Sequence, residues 1–420
     1  MKCKVEKSEL SGTVSCPPNK SYTHRAIFLA SLAKGKSTIR NVLLSRDTIA
    51  TINACKIFGS KIDSHDSTLV IESPGKISPT RSEIDASNSG TTIRISAAIA
   101  SLSETKLTLT GDLSLRKRPM QPLLDALEKL GARCTSTNGT PPITVKGRIH
   151  GGDTNISGSV SSQFISALLI AAPKTDNGIT IQIDGELVSK PYLDATVAIM
   201  KKFGVNVNTI DPYKKYSIPK QDYKPIDFTV PSDFSSLAIL LSAAVLVGKD
   251  MTIDTPGGDL PQGDKAMVSF LEKLGVGVSL GDTINVQSPS LLEGGKFDLS
   301  NTPDLLPPIA ILALKTSKPI EIHNVKHARF KETDRIAILA RELSKLGVNV
   351  IEKEDGLILD APTVVRKADL DSADDHRLFM AFCIAGMFVG GCTVTNPESV
   401  DVSYPTFIED LNRIGAKILV

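Results

Sequence analysis

The chain has 420 residues, 41% of them apolar and 22% charged, with a formal net charge of +2. That length exceeds a single ordinary core and suits two domains. The near-balance of charge excludes a global field that would favour nucleic acid or an anionic membrane, and the absence of Trp argues against base-stacking platforms, so any strongly cationic site must be local.

The first residues, "MKCKVEKSEL", hold no apolar signal region. Farther on, the longest apolar runs, "LAILLSAAVLV" and "LFMAFCIAGMFVGG", fall short of the about 20 residues that span a bilayer and read as core helices. The six cysteines, at 3, 16, 55, 134, 383 and 392, form no CxxC pair and have no histidine at a metal-ligand spacing. Free thiols, a cytoplasmic location and no metal site are expected.

Taken in chain order, two helix types alternate. An apolar helix is predicted to start near Ser21, Thr91, Ser161, Ser235, Pro307 and His376. After each comes an amphipathic helix that ends on Gly and runs into a strand: "INACKIFGSKI", "ALEKLGARC", "IMKKFGVNV", "FLEKLGVGV", "ELSKLGVNV" and "DLNRIGAKI". The glycines are Gly59, Gly131, Gly204, Gly275, Gly347 and Gly415, each suited to the left-handed C-cap of a helix. Spacings of 68 to 73 residues in the second series, and of 69 to 74 in the first, keep step. Short β-rich segments such as "KLTLTG" and "GITIQIDG" complete each unit. The periodicity predicts an α/β chain of six units, three per domain, in two similar lobes. The seam falls in the Pro-rich "KQDYKPIDFTVPSDF", giving an N-terminal lobe of residues 15–229. The C-terminal lobe takes 230–420 with 1–14 as a crossing strand.

Polar residues collect at the helix starts: "NKSYTHR", "SNSGTTIR", "SGSVSSQF", "SLRKRPMQP", "NTPDLLPP", "KETDR" and "DDHR". Hydroxyls there also serve as plain N-caps. Cations are harder to explain, because a helix N-terminus is already partly positive and repels them unless an anion lies between. Lys20, Ser21 and Arg25 fit one wall of an anion site, and equally a charged surface turn. Lys331 and Arg335 lie four apart around Glu332, as an ion pair or as a proton-handling group among cations. Asp304 precedes an apolar helix, either as a cap or as a general base.

Eight motifs, seven at these starts and "VSKPY" at another, namely "NKSYTHRA", "SNSGTTIR", "RKRPM", "SSQF", "VSKPY", "TPDLLPPIA", "FKETDR" and "DDHR", stand in an order that resembles the EPSP synthase family, the 3-phosphoshikimate 1-carboxyvinyltransferases, over nearly the whole chain. The resemblance implies two lobes of three βαβαββ units each, the inside-out α/β barrel of the enolpyruvyl transferases. It also implies transfer of the enolpyruvyl group of phosphoenolpyruvate to the 5-hydroxyl of shikimate 3-phosphate, by a monomer without metal or organic cofactor. Each such substrate carries about −2.5 to −3 near pH 7, which fits the gathered cations.

By the same resemblance, Lys20, Ser21, Arg25, Ser161, Ser162, Gln163, Ser189, Asp304 and Lys331 bind shikimate 3-phosphate, with Tyr192 lining that site. Lys20, Gly90, Arg118, Gln163, Arg335 and Arg377 bind phosphoenolpyruvate. Asp304 takes the hydroxyl proton, and Glu332, with Lys20, handles the proton at the methylene carbon. The chain departs from the family at Val402, where many members carry a lysine, at Pro18-Asn19 in place of Gly-Ser, and at His327 in place of Asn. Two alternatives stand beside this reading. One is the enolpyruvyl transferase for UDP-N-acetylglucosamine, whose loop Cys is missing from "GDLSLRKRP". The other is a non-catalytic anion-binding protein, which would have no use for Asp304 and Glu332.

Overall fold

A computed structural model describes residues 1–256, 260–281 and 283–420. Among the described residues the backbone repeats one pattern in six four-stranded sheets. The unit at 152–218 is continuous and shows it plainly. Strand Gly152–Ser157 lies parallel to Ile179–Asp184, with Gly152 opposite Ile179 and Ser157 opposite Asp184. A buried helix joins them, since a parallel pair needs a crossover. An amphipathic helix follows, then the hairpin of Asn208–Asp211 and Lys215–Ile218, whose second strand pairs antiparallel with Ile179–Asp184. The expected βαβαββ unit is thus present, with its strands in the spatial order first, second, fourth, third.

Three units borrow a strand from far along the chain. Asp227–Thr229 lies parallel to Gly35–Arg40, and Leu10–Ser15 lies parallel to Gly248–Asp254. Lys2–Val5 pairs antiparallel with both Cys392–Thr395 and Ile418–Leu419.

Among the described residues there are twelve α-helices: α1 (Lys20–Leu32), α2 (Arg46–Ile57), α3 (Gly90–Ala100), α4 (Gln121–Lys129), α5 (Ser162–Ala171), α6 (Lys190–Lys202), α7 (Phe234–Val247), α8 (Ala266–Lys273), α9 (Leu306–Leu312), α10 (Arg335–Lys345), α11 (His376–Val389) and α12 (Phe407–Arg413). The odd-numbered six are the apolar series, and each starts within one residue of its expected position. A helix apolar on all sides must be buried on all sides: every residue of α3, and every residue of α7 after Phe234, is buried. The even-numbered helices bury one stripe. In α10 it comprises Ile336, Leu339 and Leu343, joined by the charged Arg335 and Glu342.

The six repeat glycines all have positive φ, from +80° at Gly204 to +111° at Gly131 and Gly415. Each stands two residues past the end of an even-numbered helix. This left-handed turn releases the chain into the following hairpin, and a side chain there is strained.

Two compact units result. Of the described residues, one comprises 18–231 and 260–262, the other 1–17, 232–256, 263–281 and 283–420. Each has its own hydrophobic core. Among the described residues no helix is long and apolar enough to cross a membrane.

Candidate active site

In the 18–231 unit, several helix starts carry polar groups that bond to one another. Asn19 caps α1 by accepting from the Tyr22 amide at 2.8 Å, so the departure "PPN" supplies the cap that the turn needs. Lys20, the first residue of α1, lies 3.4 Å from Asp47 in the first turn of α2. Arg25 is 1% exposed. Its Nε donates to Thr196 Oγ1 at 2.8 Å, Nη1 to the Ser21 carbonyl at 3.0 Å and Nη2 to the Tyr192 carbonyl at 3.2 Å. All three acceptors are neutral, and burial pulls the guanidinium down to about 10. A buried cation without a carboxylate is expensive, and one that tethers α1 to α6 in this way is preset for an anion.

α3 and α5 supply a second group. Ser89 caps α3 by accepting from the Thr92 amide at 3.1 Å, and Ser161 caps α5 by accepting from the Gln163 amide at 3.3 Å. Arg94 Nη1 donates to Gln163 Oε1 at 2.6 Å, while Gln163 Nε2 donates to Thr91 Oγ1 at 2.9 Å. Both bonds run to α3, and together they fix the orientation of the amide. Arg118, 8% exposed, donates to Asn88 Oδ1 at 2.9 Å. A Cβ added to Gly90 would lie 3.2 Å from Nη1 of both Arg94 and Arg118, so glycine leaves the α3 N-terminus bare between two guanidiniums. Ser162 is buried, and Ser189 is held in the left-handed conformation (φ +56°) at the start of α6.

The other unit gathers opposite charges. Arg335, at the first position of α10 and 1% exposed, donates to Asp304 Oδ1 (2.7 Å), Glu332 Oε2 (2.9 Å) and Asp375 Oδ2 (2.7 Å). Arg377 Nη2 lies 3.1 Å from Asp304 Oδ2, and Lys331 Nζ lies 3.8 Å from Asp304 Oδ1. Burial would raise the pKa of Asp304, but Arg377, Lys331 and Arg335 outweigh it and hold the carboxyl well below the usual range. Asp304 is therefore ionised at neutral pH. The same burial lowers Lys331, partly offset by Asp304.

Asp375 caps α11, accepting from the Arg377 and Leu378 amides at 2.9 and 3.3 Å. It follows two residues with positive φ, Ala373 (+50°) and Asp374 (+59°). Such backbone is costly and often sits beside functional groups. Asp334 caps α10 at 3.0 Å and takes Arg329 as its ion pair, at 2.8 Å. His327, pulled down to about 4 by burial and by Lys331, is neutral, and its Nε2 has no partner among the described residues. Val402 is buried in the turn Pro397–Val402.

In one unit an ionised carboxylate among cations, with a second carboxylate beside it, suits proton transfer; in the other a bare helix N-terminus flanked by guanidiniums suits an anionic, oxygen-rich ligand. The sequence matches the EPSP synthase (3-phosphoshikimate 1-carboxyvinyltransferase) family over residues 5–411. The chain belongs to this family.

The 3-phosphoshikimate 1-carboxyvinyltransferase of Nitrosopumilus maritimus (strain SCM1) is 62% identical to it over 419 residues, spanning 100% of this chain and 99% of that one. The protein of that name in Methanothermobacter thermautotrophicus is 42% identical over 418 residues, spanning 99% and 98%. The fold is shared with an EPSP synthase from Acinetobacter baumannii, at 24% identity with a TM-score of 0.82 over 100% of both chains. It is also shared with the enolpyruvyl transferase NikO from Streptomyces tendae, at 19% identity with a TM-score of 0.80 over 99% and 98%.

For an EPSP synthase family member, four residues matter that the sequence did not single out. Asp47 is the ion-pair partner of Lys20, Arg94 orients Gln163, and Asp375 joins Arg335 to the α11 cap. The fourth is Asp264, buried in the turn Gly263–Lys265 before α8. Arg94 did leave a signal, since it follows Gly90 by the same four residues that separate Ser21 from Arg25.

Proposed function

We propose that this chain transfers the enolpyruvyl group of phosphoenolpyruvate to the 5-hydroxyl of shikimate 3-phosphate, releasing phosphate, as a cytoplasmic monomer in aromatic amino-acid biosynthesis. The observation that carries the reading is Asp304, ionised and bonded to Arg335 and Arg377 with Glu332 on the same guanidinium. A base set among anion-binding groups has a use in this chemistry that a simple anion trap would not have.

In the proposed assignment, Arg25, Ser21, Ser161, Ser162, Gln163, Ser189 and Lys331 hold shikimate 3-phosphate. Arg118, Arg335, Arg377 and the bare start of α3 at Gly90 hold phosphoenolpyruvate, and Lys20 serves both. Binding energy from these groups orients the reactants. The acceptor O–H bond breaks as its proton moves to Asp304 and the oxygen bonds to C2 of phosphoenolpyruvate. The double-bond electrons take a proton at C3 from Glu332, assisted by Lys20. In the second step C3 returns that proton to Glu332, the double bond re-forms, and the C2–O bond to phosphate breaks. The leaving phosphate carries off the proton held by Asp304, so atoms and charge balance.

Two features support Asp304 as the base. It is unprotonated before binding, and its low basicity is set by cations that the substrates' own anionic groups would engage, which raises it when it must act. The test is a continuous phosphate-release assay with phosphoenolpyruvate and either shikimate 3-phosphate or UDP-N-acetylglucosamine. Release with the first acceptor alone is expected. Release with the second alone, or binding of both substrates without release, would replace the proposal with the corresponding alternative.

A further inference from the structure

One buried carboxyl has no place in that chemistry. Asp264 lies in the turn Gly263–Lys265 just before α8 and is 5% exposed. Ser235, in the first turn of α7, donates from Oγ to its Oδ2. Its other oxygen, Oδ1, is buried without any hydrogen-bond partner among the described residues. The charged groups that act on it are Asp304, from the turn before α9, Asp233, the cap of α7, and Arg377, from α11. Thus two carboxylates oppose one guanidinium, and that guanidinium is already bonded to Asp304. α7 itself packs against α9 and α11, so the α7 turn that holds Asp264 also supports the elements that carry Asp304 and Arg377.

With Glu332 holding the proton it transfers, a fourth negative charge beside Asp304, Asp375 and Asp233 would outnumber Lys331, Arg335 and Arg377, the three cations of the cluster among the described residues. Substrates that bring two or more negative charges each would meet a site already in excess. The spare oxygen Oδ1 is a place for a proton that removes this excess.

We infer that Asp264 is a positioning residue that works in its protonated form: it keeps Arg377 committed to Asp304 and to substrate, and loss of its proton weakens acceptor binding. This rests on the transferase reading above. Geometry and charge count carry it, and titration agrees: burial first, then Asp304, pushes the carboxyl up to about 7. Asp264 thus makes acceptor affinity sensitive to pH around neutrality, although it touches no reacting atom.

Two experiments on the full chain separate this inference from the function itself. The first is infrared difference spectroscopy of wild type against Asp264→Asn, without substrate, over about pH 5 to 9. A protonated-carboxyl band present only in wild type and lost with a midpoint near 7 is expected. The absence of such a band at pH 6 would overturn the inference whatever the enzyme does. The second is the ratio of acceptor KM in wild type to that in Asp264→Asn, measured across the same range. The ratio cancels the acceptor's own phosphate titration. It should rise about three- to tenfold from pH 6 to pH 8.5, the order expected from one added charge in a partly screened site, with a smaller change in kcat. A flat ratio would overturn the inference.

Should Asp264→Asn fail to fold, Ser235→Ala carries the test. The serine bond favours the ionised form, so its removal must shift the band's midpoint and the KM rise of this variant to higher pH. An unchanged midpoint would count against the role. A wild type that shows the infrared titration and no turnover would refute the proposed function and leave Asp264 protonated all the same.

Discussion

Arg335 and Asp304 are joined by a hydrogen bond of 2.7 Å, and the same guanidinium holds Asp375 from its Nε at 2.7 Å. A single side chain therefore ties the proposed base to the cap of α11, the helix that delivers Arg377. Substituting Asp304 by Asn keeps the shape and removes the base. We expect kcat to fall about 10²- to 10⁴-fold, the usual worth of general-base help, with little change in the KM for phosphoenolpyruvate. Glu332→Gln should lose a comparable factor. Steady-state kinetics of both variants check this. Near-normal kcat in Asp304→Asn would remove it from the mechanism.

Arg25 has only neutral acceptors, so its charge serves a ligand more than the fold. Arg25→Gln should weaken shikimate 3-phosphate binding by about 10²-fold or more, as expected for loss of charge-assisted hydrogen bonds worth about 1.5–3 kcal/mol each. The unliganded melting temperature should move little. Wild type should gain melting temperature with the ligand by mass action, and the variant should not. Thermal shift with and without the ligand measures both quantities.

At Gly90 the room for a side chain is set by Nη1 of Arg94 and of Arg118, each 3.2 Å from an added Cβ. Both are ends of flexible side chains, so Gly90→Ala folds but pushes the guanidiniums outward. The expected result is a KM for phosphoenolpyruvate raised about tenfold, roughly 1.4 kcal/mol, with acceptor affinity and kcat little changed. An equal loss for both substrates would move Gly90 out of the donor site.

Asp375 is wholly buried, caps α11 and pairs with Arg335. Removing one partner of a buried pair costs about 3–5 kcal/mol, and losing a cap adds about 1. Chemical denaturation of Asp375→Ala should therefore show a loss of at least about 3 kcal/mol, where Arg25→Gln shows about 1 or less. The glycine turns give a second ordering. A Cβ on Gly347 would meet the Val364 carbonyl at 2.6 Å, while one on Gly131 has nothing nearer than 3.8 Å. Both positions have positive φ, so each alanine costs about 1 kcal/mol or more in backbone strain, and Gly347→Ala must cost more.

Acid and neutral pH act on two carboxylates in opposite senses. The folded-state pKa of Asp304 is depressed. Its contribution to stability is complete above the unfolded value of about 3.9 and is lost as pH falls through the folded value. Asp264 is raised to about 7. Its ionisation opposes folding, and the penalty grows as pH rises from about 3.9 to about 7, then stays constant. The melting temperature of wild type relative to Asp264→Asn should fall across that window. A constant difference would mean that Asp264 titrates normally.

The sequence made the fold legible because its signals are local. A helix that ends in a left-handed glycine is written within about ten residues, and all six glycines adopt that turn. The helix starts were legible for the same reason. The borrowed strands were harder: Asp227–Thr229 pairs with Gly35–Arg40 across nearly two hundred residues, and no local pattern announces which partner it takes. The same limit applied to the site. Lys20, Arg25 and the "KETDR" cluster stand out as cations at helix starts. Arg94 shows only the four-residue offset that Ser21 and Arg25 share, and its partner appears once Gln163, sixty-nine residues on, is seen to accept its hydrogen bond. Asp375 stands without a role of its own in "DDHR", and only the fold brings Arg335, forty residues away, onto it. Asp264 carries no sequence signal, since what distinguishes it is burial beside Asp304.

The most direct test of the central claim is phosphorus NMR of a reaction mixture holding the purified chain, phosphoenolpyruvate and shikimate 3-phosphate. The account predicts that the phosphoenolpyruvate signal is replaced one-for-one by inorganic phosphate while the acceptor's phosphomonoester signal shifts to that of its enol ether, and that Asp304→Asn stops both changes. Unchanged signals in the wild-type mixture, with both substrates shown to be bound, would contradict it.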